Sequence, residues 1–454
     1  MLSKKYNKFL VKKIGTSIYP SYYWTKLHIK LSEKLSEKQQ KKRQFDSIKK
    51  IITYAYENVP YYRQVFTEIG FKPSDFRRMG DIEQLPLMDK KTYRDNIEYM
   101  VSRGYPKKLM PTVFTGGTTG EPLMLYRSYG DYGRERAYSD FAYQALGMNP
   151  NVKTIYMRGK VSDEKGVYHK VSDFGRTLYL SSHQMTPDSL EEYIDLINAF
   201  KPVLFYVLPS VGTVFAEYIL RKKITISGSL KWIFCPSENL YDFQKAMMEA
   251  AFKCKIGTFY GHAEHAVFAI KCDESDLYRM VPHYGYCELI DQKGRQITKT
   301  GQLGEIVGTS FTNQVSPLIR YRTGDFASRS EKKCPCGRNC LLLEKLQGRE
   351  QSMAMDKRNV RINLGPELLC TIHDKSYRNI KKFWIEQRKA GELCVYIEPN
   401  EDTPFHEIKE PFRRLLEDLY PGHFDVVIDH AEHKPRDTRV VDKHLYFRQL
   451  MNIA

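Results

Sequence analysis

The feature that most constrains the fold of this chain is an alternation of strand-like and helical segments between about residues 110 and 260. Short runs rich in β-branched and aromatic residues alternate with stretches whose apolar residues have helical spacing. This order is typical of an α/β domain built on a largely parallel sheet. The predicted strands are Thr112–Thr115, Leu123–Arg127, Thr154–Arg158, Leu204–Leu208, Trp232–Cys235 and Lys255–Tyr260, and the predicted helices are Ser189–Phe200, Val211–Lys222 and Tyr241–Lys253.

The segments on either side of this region have a different character. Leu27–Tyr56 carries apolar residues at near-helical spacing, which predicts one helix that ends at Asn58-Val59-Pro60. A short helix is predicted for Lys90–Tyr99. Tyr286–Ile290 and Glu305–Thr309 are predicted to form a hairpin.

The last hundred residues form a further segment with its own pattern. Strand-like residues 383–386, 393–397 and 424–428 and a helical stretch at 405–419 predict a small α+β domain. We therefore expect a leader at residues 1–50, a large domain at 51–348 and a small C-terminal domain at 349–454.

Positive charge is concentrated at the N-terminus. The chain has 71 Lys+Arg and 54 Asp+Glu, a net charge of +17, and residues 1–50 supply +11 of it. The remaining residues are nearly balanced, so a nucleic-acid-binding protein is not expected. Lys mixed with Tyr22, Tyr23 and Trp24 fits contact with an anionic membrane surface. A solvated helix that packs on the core is the alternative.

The sequence also bears on the compartment. No apolar run reaches the roughly 18–20 residues that span a bilayer, and no secretory h-region follows the basic N-terminus. Nine Cys, an odd number, favour reduced thiols over a disulfide framework. These features predict a cytoplasmic protein, with peripheral contact at the inner face of the membrane left open by the basic leader.

A loop rich in glycine and threonine lies between the first two predicted strands. Phe114–Pro122 reads Phe-Thr-Gly-Gly-Thr-Thr-Gly-Glu-Pro. Its backbone N–H groups and hydroxyls can surround phosphate oxygens, and a polar hairpin turn is the alternative. The loop lacks the Gly-Lys-Ser/Thr ending of a Walker A loop and the Gly-x-Gly-x-x-Gly spacing of a dinucleotide fold.

Two later segments complete a recognisable order. Tyr260-Gly261-His262-Ala263-Glu264 and Arg320-Tyr321-Arg322-Thr323-Gly324-Asp325 each follow a predicted strand, and Gly348-Arg349 comes after them. In this order and spacing, the segments resemble the core motifs of the adenylate-forming superfamily. The resemblance implies a large N-terminal domain with mixed sheets and a small mobile α+β C-terminal domain.

Other segments narrow the resemblance to one branch. Tyr54–Arg63, Phe200-Lys201-Pro202 and Ser237-Glu238-Asn239-Leu240 are similar to segments of the phenylacetate–CoA ligase branch. Within that branch the chain most resembles the CapK-type members of capsular polysaccharide biosynthesis. The resemblance implies an ATP-dependent, AMP-forming ligase that adenylates a small carboxylate. The acyl group would then pass to coenzyme A, or to an amine or hydroxyl of a cell-envelope polysaccharide precursor.

The resemblance also implies a nucleotide site. Glu264 would ligate Mg²⁺ that bridges phosphate oxygens, and Asp325 would accept hydrogen bonds from the ribose. Ser237 and Glu238 would lie along the adenine, and Tyr260 would stack on it. Further residues implied in nucleotide binding are Thr115, Gly116, Gly117, Thr118, Thr119 and Gly120 on the phosphates, Gly261 beside Tyr260, and Arg349 near the hinge.

Histidine and the late catalytic lysine are less well defined. His262 would either contact the reacting groups or serve as a neutral structural hydrogen-bonding residue. The family's lysine follows a Pro-Arg pair and a glycine, but no glycine follows Pro435-Arg436 here, so Lys443 or Arg439 would supply this cation. These departures support an alternative function, a weakened nucleotide-binding homologue that acts as a scaffold in envelope polysaccharide synthesis.

The cysteines suggest a metal site. Cys334-Pro335-Cys336 places two thiols on a tight loop, and a structural Zn²⁺ takes four N or S ligands. Cys272 would be a third ligand, with His283 or Cys340 as the fourth. Free cysteines are the alternative.

Overall fold

The computed structural model describes residues 19–114, 123–149, 151–157, 161, 168–172, 175–182, 185–226, 228–271, 275, 277–332, 334, 340–349, 353–359, 361–364, 379–399, 403–434 and 447–449. These residues form two compact units. The first contains the residues up to 346 except 239–247, and the second contains 239–247 and the residues from 347 onward.

The helices lie mostly in the first unit. They are α1 (Pro20–Ser32), α2 (Glu37–Asn58), α3 (Pro60–Glu68), α4 (Lys90–Asp95), α5 (Tyr129–Ala145), α6 (Pro187–Phe200), α7 (Pro209–Lys222), α8 (Asp242–Phe252) and α9 (Phe405–Leu419).

The strands of the first unit are β1 (Thr112–Phe114), β2 (Met124–Tyr126), β3 (Thr154–Met157), β4 (His169–Val171), β5 (Thr177–Leu180), β6 (Leu204–Val207), β7 (Trp232–Phe234), β8 (Lys255–Gly257), β9 (Phe259–Gly261), β10 (Phe268–Lys271), β11 (Tyr278–Met280), β12 (Gly285–Ile290), β13 (Leu303–Ser310), β14 (Tyr321–Arg329) and β15 (Leu342–Arg349), whose last residues reach the second unit. The strands of the second unit are β16 (Met353–Met355), β17 (Arg361–Asn363), β18 (Ile380–Gln387), β19 (Glu392–Pro399), β20 (Asp425–His430) and β21 (Phe447–Gln449).

The N-terminal helical region contains a break that we did not predict from the sequence. A single helix over Leu27–Tyr56 was wrong, because α1 ends at Ser32 and α2 begins at Glu37. The Ser36 side chain accepts a hydrogen bond from the Gln39 backbone, and the Gln39 side chain accepts one from the Ser36 backbone. This reciprocal capping box starts a new helix. The predicted end at Asn58 is confirmed.

A six-stranded sheet forms the centre of the first unit. Its order is β4-β5-β3-β6-β7-β8, and all pairings are parallel except β4 with β5. Helices α6 and α7 connect β5 to β6 and β6 to β7. The predicted α/β domain with a largely parallel sheet is confirmed.

A seven-stranded sheet, which we call the curved sheet, lies in the same unit in the order β12-β13-β14-β15-β11-β10-β9. The predicted hairpin is confirmed, since β12 and β13 pair antiparallel with Tyr286 opposite Thr309 and Ile290 opposite Glu305. Lys255–Tyr260 is not one strand as predicted. Thr258 separates β8 of the six-stranded sheet from β9 of the curved sheet.

The predicted small α+β domain has its own core. Its main sheet has four strands in the order β20-β19-β18-β21, and α9 packs on this sheet. Strands β16 and β17 form a separate pair. Phe383, Val395 and Ile397 from the sheet and Phe412 and Leu416 from α9 belong to one buried cluster. Helix α9 spans the residues predicted to be helical.

A separate cluster ties the N-terminal helices to the curved sheet. Ile48 and Ile52 of α2 and Phe66 of α3 are buried together with Tyr321 of β14. Fully burying side chains of this size typically contributes about 1.5–3 kcal/mol each. Within the described ranges, no helix combines the length and apolar character needed to cross a membrane.

Candidate active site

Tyr260 and Asp325 are brought together by curvature of the sheet. They lie on β9 and β14, which are four strands apart, or about 19 Å in a flat sheet. Nevertheless the Tyr260 hydroxyl donates to Asp325 Oδ2 at 2.8 Å. The curved sheet therefore bends enough to make the two strands face each other. Asp325 lies within β14, not after a strand as the sequence suggested.

Tyr260 itself is largely enclosed by its own core. Its side chain packs with Val267, Ala269 and Leu289, and 8% of the residue is exposed. Burial, and next the Asp325 carboxylate, raise the pKa of Tyr260 well above its usual value. The phenol is therefore a hydrogen-bond donor at neutral pH and holds the orientation of Asp325.

Glu264 lies in the loop that follows β9. Its side chain is 3% exposed; Oε1 accepts from the Tyr321 hydroxyl at 3.1 Å, and Oε2 lies 3.3 Å from His262 Nδ1. Lys90 Nζ, at the start of α4, lies 3.9 Å from Glu264 Oε1. Tyr321 and Lys90, two of the groups around the carboxylate, come from elements far from Glu264 in the sequence.

The residues around Glu264 fit a magnesium–phosphate ligand. Mg²⁺ is usually held by one or two carboxylates together with substrate phosphates. Among the described residues, no group of three His, Cys, Asp or Glu side chains that could hold a metal ion is found. His262 Nε2 is buried and has no hydrogen-bond partner among the described residues, so it has capacity for a ligand.

Lys90 is a candidate site residue that we did not predict from the sequence. It begins α4, whose N-cap Asp89 accepts a hydrogen bond from the Thr92 backbone at 2.7 Å. The predicted helix Lys90–Tyr99 ends earlier, at Asp95. The sequence around Lys90 contains no pattern that indicates a functional site. Its spatial neighbour Glu264 is distant along the chain, so the contact is not evident from the sequence.

A second buried cluster lies beside Glu264. His265 adopts a left-handed backbone, with φ at 56°, and its Nδ1 contacts Glu135 Oε1 at 3.0 Å and the Arg127 guanidinium. Arg127 also donates to the Ala263 carbonyl, and the Tyr284 hydroxyl donates to Glu135 Oε1 at 2.7 Å. These contacts fix the backbone of the loop that carries Glu264.

The ionisation of this second cluster is shifted by its surroundings. Burial, followed by the Arg127 charge, holds the pKa of His265 well below its ordinary value, so its ring is neutral. Burial raises the pKa of Glu135 to about 7. One carboxyl close to the candidate site therefore changes charge near neutral pH.

Ser237 and Glu238 follow the carboxyl end of β7, where ligands bind in open α/β sheets. Ser237 is exposed with φ at 67°. Glu238 Oε2 accepts from the Ser210 backbone N–H at 3.0 Å, in the first turn of α7. A carboxylate there complements the helix dipole. Glu238 therefore has a structural partner besides its proposed adenine contact.

Gly261 has a packing reason to be glycine. A Cβ at this position would lie 3.2 Å from the Phe259 ring and 3.3 Å from the Phe268 ring. Both distances are tighter than usual contacts. The neighbouring Phe259 and Phe268 rings thus explain why a glycine occupies position 261. This explanation does not depend on whether Tyr260 contacts a ligand.

Several predicted site residues lie outside the described residues. They are the loop Thr115–Gly120 between the paired strands β1 and β2, Lys443 and Arg439, and Cys272 and Cys336. Arg349 ends β15, and its side chain is also outside the description. Their proposed roles stay predictions.

The two described cysteines of the predicted zinc site lie together. Cys334 is buried with Leu277 and Leu342, and Cys340 packs against this group. His283 instead stacks on Tyr138 of another cluster, with the two ring centroids 5.6 Å apart. The structure thus joins Cys334 with Cys340 and gives His283 other neighbours.

The sequence of this chain is similar to those of several characterised proteins. The chain is 23% identical to phenylacetate-coenzyme A ligase of Thermus thermophilus over 403 residues, 87% of each chain. It is 27% identical to that of Aromatoleum evansii over 83% of this chain and 85% of the relative. Protein CapK of Staphylococcus aureus is 25% identical over 62% of this chain and 61% of its own. No family model matches the chain.

A solved structure supports the fold. 2-Hydroxyisobutyryl-CoA ligase in its postadenylation state has a TM-score of 0.69 to this chain at 19% identity, over 91% of this chain and 90% of its own. The mixed α/β architecture expected from the motifs is thus the fold of an adenylate-forming ligase. In sequence, the chain resembles the phenylacetate–CoA ligase branch of the adenylate-forming superfamily, with a CapK protein among its relatives.

Proposed function

We propose that this protein is an AMP-forming acid–CoA ligase. The observation that carries the proposal is the pair of buried carboxylates, Asp325 held by Tyr260 and Glu264 held by Tyr321, on the fold of such ligases. Two carboxylates with different partners suit two different tasks, one toward the ribose and one toward a metal–phosphate group.

The proposed chemistry has two displacements. A carboxylate oxygen of the acid attacks the α-phosphorus of ATP, and pyrophosphate leaves with the bond electrons. The thiol of CoA then attacks the acyl carbonyl, loses its proton, and AMP leaves. Mg²⁺ would supply charge neutralisation to the phosphates.

Each described residue has a definite task in this scheme. Glu264 would bind the metal, and Lys90 would offset phosphate charge from the other side. Asp325 would accept from the ribose while still accepting from Tyr260, because a carboxylate has room for several donors. His262 would donate or accept through Nε2.

Pyrophosphate exchange with a panel of aryl and short aliphatic acids tests the proposal. We expect exchange that depends on one class of acid, and a loss of at least about tenfold in Lys90→Met. Lys91→Met is the matched control, because Lys91 is exposed and pairs with Asp95 on the same helix. ATP binding without exchange for any acid would overturn the ligase proposal and favour the scaffold.

The acyl acceptor is a separate part of the proposal. The relatives named phenylacetate-coenzyme A ligase support CoA, and the CapK relative motivates an amine or hydroxyl of a polysaccharide precursor. CoA-dependent release of AMP from the enzyme-bound adenylate would support the thioester route. Release only with an amino sugar would support the second route.

We also propose membrane contact through α1. Its outer face exposes Tyr23 (64%), Trp24 (71%), Leu27 (48%) and Leu31 (51%), and Lys30 lies beside them. An amphipathic helix with basic flanks suits anionic lipid. Vesicles of phosphatidylglycerol should bind the protein at low salt, and Trp24→Ser with Leu27→Ser should weaken binding.

The membrane test needs a matched variant. Tyr99→Ser removes another exposed aromatic side chain, 60% exposed, from a different part of the first unit. It should leave vesicle binding unchanged. Equal binding of the α1 variant and wild type, or no binding at low salt, would refute membrane contact.

The zinc site is a further proposal, with Cys272, Cys334, Cys336 and either Cys340 or His283 as ligands. The packing of Cys334 with Cys340 favours Cys340 as the fourth ligand. We expect about one zinc per chain in protein purified without chelator, and its loss in Cys334→Ser. Metal-free protein of undiminished stability would refute the site.

A further inference from the structure

A pocket of about 330 Å³ lies among α1, α2 and α5. Arg43, Ser47 and Lys50 of α2, Arg134 of α5 and Gln314 are among its lining residues. None of the described residues proposed above for the nucleotide is among its lining residues. The pocket therefore differs in its lining from the described part of the candidate active site.

The charge of the pocket wall is one-sided. Of the described residues that line it, three are Arg or Lys and none is Asp or Glu. Arg134 is neutralised by Asp131 nearby. Arg43 is half-buried and has neither an ion pair nor a hydrogen bond with any residue that the structure describes. A half-buried arginine without a counter-charge favours an anion.

The ionisable groups near the pocket do not neutralise the positive charge of Arg43. Glu33, outside the lining, pairs with Arg279 at 3.2 Å. Burial, and next the Arg43 charge, lowers the pKa of His28 to about 4, so this histidine is neutral. Burial also lowers the pKa of His283, the second histidine of the wall, whose Nε2 lies 3.5 Å from Glu33. An incoming anion would thus meet the half-buried Arg43 and the exposed Lys50, of which Arg43 lies deeper in the wall.

The rest of the wall is rich in hydrogen-bonding groups. Gln40 Nε2 donates to the Leu35 carbonyl at 3.2 Å and Gln44 Nε2 to the Pro282 carbonyl at 3.3 Å, which fixes both amides. Hydroxyl groups and the half-buried ring of Phe311 lie beside them. Fixed amides and hydroxyls suit a ligand with many hydroxyl groups, and an aromatic face suits the C–H side of a sugar ring.

We propose that this pocket binds a monosaccharide phosphate, with the phosphate on Arg43 and the sugar hydroxyls on the amides and hydroxyls of the wall. Ligand pockets typically range over about 300–1,000 Å³, so this one suits a hexose phosphate better than a nucleotide or CoA. The inference does not rest on the ligase proposal.

Calorimetry on the full chain tests this proposal. Glucose 1-phosphate, glucose 6-phosphate and N-acetylglucosamine 1-phosphate are titrated with ATP in excess, so that a nucleotide site is already filled. We expect at least one to bind with a Kd below about 1 mM, and glucose and inorganic phosphate at least about tenfold more weakly.

Matched variants locate the binding. Arg43→Gln should weaken it by at least about tenfold, the usual effect of losing a charged hydrogen bond. Lys42→Gln removes the same charge from an exposed neighbour that does not line the pocket, and should change affinity less than about twofold. Ser47→Phe should block binding without changing charge.

Three results would overturn the proposal. One is that none of the three sugar phosphates binds with a Kd below about 1 mM. The second is equal affinity in Arg43→Gln and Lys42→Gln. The third is that CoA or inorganic phosphate binds more tightly than the sugar phosphates and depends on Arg43 in the same way. Asp325→Asn should leave sugar phosphate binding unchanged. This variant distinguishes a failure of the pocket proposal from a failure of the ligase proposal.

Discussion

Two buried carboxylates of the first unit, Glu288 and Glu264, are held in different ways. Arg320 donates to Glu288 at 2.9 and 3.2 Å and to the Leu85 carbonyl at 2.7 Å, so this ion pair is surrounded by short contacts. Beside Glu264, which accepts from the Tyr321 hydroxyl and lies 3.9 Å from Lys90 Nζ, His262 Nε2 is buried and has no hydrogen-bond partner among the described residues. Arginine bonds to both oxygens of Glu288, whereas the surroundings of Glu264 include a buried nitrogen that can bind a ligand.

The largest effect should follow from breaking the ion pair between Arg320 and Glu288. Arg320→Met leaves the Glu288 carboxylate buried without its cation and should lower the apparent free energy of unfolding by about 3–5 kcal/mol. Urea unfolding measures it. Arg322→Met is the control, since Arg322 pairs with Glu305 but its side chain is 41% exposed. A loss below about 1 kcal/mol would remove the distinction between the clusters.

Neutralising Glu264 should affect activity more than stability. Glu264→Gln keeps an acceptor for Tyr321 but removes the charge that would hold the metal. We expect pyrophosphate exchange to fall about 100-fold or more, while urea unfolding changes by less than about 1 kcal/mol. Destabilisation as large as that of Arg320→Met, with activity retained, would show that Glu264 is another structural carboxylate.

The Glu135 cluster should show an intermediate effect that depends on pH. Burial raises the pKa of Glu135 from 4.5 to about 7, so folding favours its protonated form. This stabilisation is complete below pH 4.5 and is lost as pH rises through about 7. Because 23% of the Glu135 side chain is exposed, which screens the effect, we expect a loss of about 2 kcal/mol.

Comparison with Glu135→Gln isolates this contribution. Between pH 5 and pH 8 the unfolding free energy of the wild type should fall by about 2 kcal/mol relative to the variant. The variant keeps an oxygen acceptor for Tyr284. Parallel pH profiles of the two proteins would contradict a raised pKa at Glu135.

The smallest effect should come from the ribose contact. Asp325→Asn keeps the shape and the acceptor for Tyr260 but loses the charge, so KM for ATP should rise about tenfold with kcat little changed. Asp291→Asn, in the turn between β12 and β13, is the control. A fall in kcat without a change in KM would place Asp325 in the reaction step instead of in ribose binding.

The sequence allowed prediction of elements whose signals are local. The β12–β13 hairpin and strands β3, β6 and β7 of the six-stranded sheet follow from residue type and turn chemistry over a few positions. Strands β4 and β5 of the same sheet were not predicted. The break before α2 was equally local, since Ser36-x-x-Gln39 is a capping signature, but the helical spacing on both sides concealed it. Local patterns therefore determine the elements well when they do not compete.

The geometry of the candidate site depended on information that local patterns do not contain. The order of Tyr260, Glu264 and Asp325 indicated a common site, but the bend that joins β9 to β14 is a property of the whole sheet. The approach of Lys90 to Glu264 and of Glu135 to His265 likewise depends on tertiary packing. Contacts of this kind, between residues distant in sequence, can be identified only from the three-dimensional structure.

The single residue between β8 and β9 has a consequence for how this protein can vary. Thr258 is buried, and its hydroxyl donates to the Cys235 carbonyl at 2.6 Å, so both sheets meet at one fixed point. Because side chains alternate along a strand, inserting or deleting one residue here would point Tyr260 to the opposite face, away from Asp325. We therefore expect that related sequences keep the same number of residues between positions 255 and 261. Insertions and deletions are expected instead in turns such as that at Gly294.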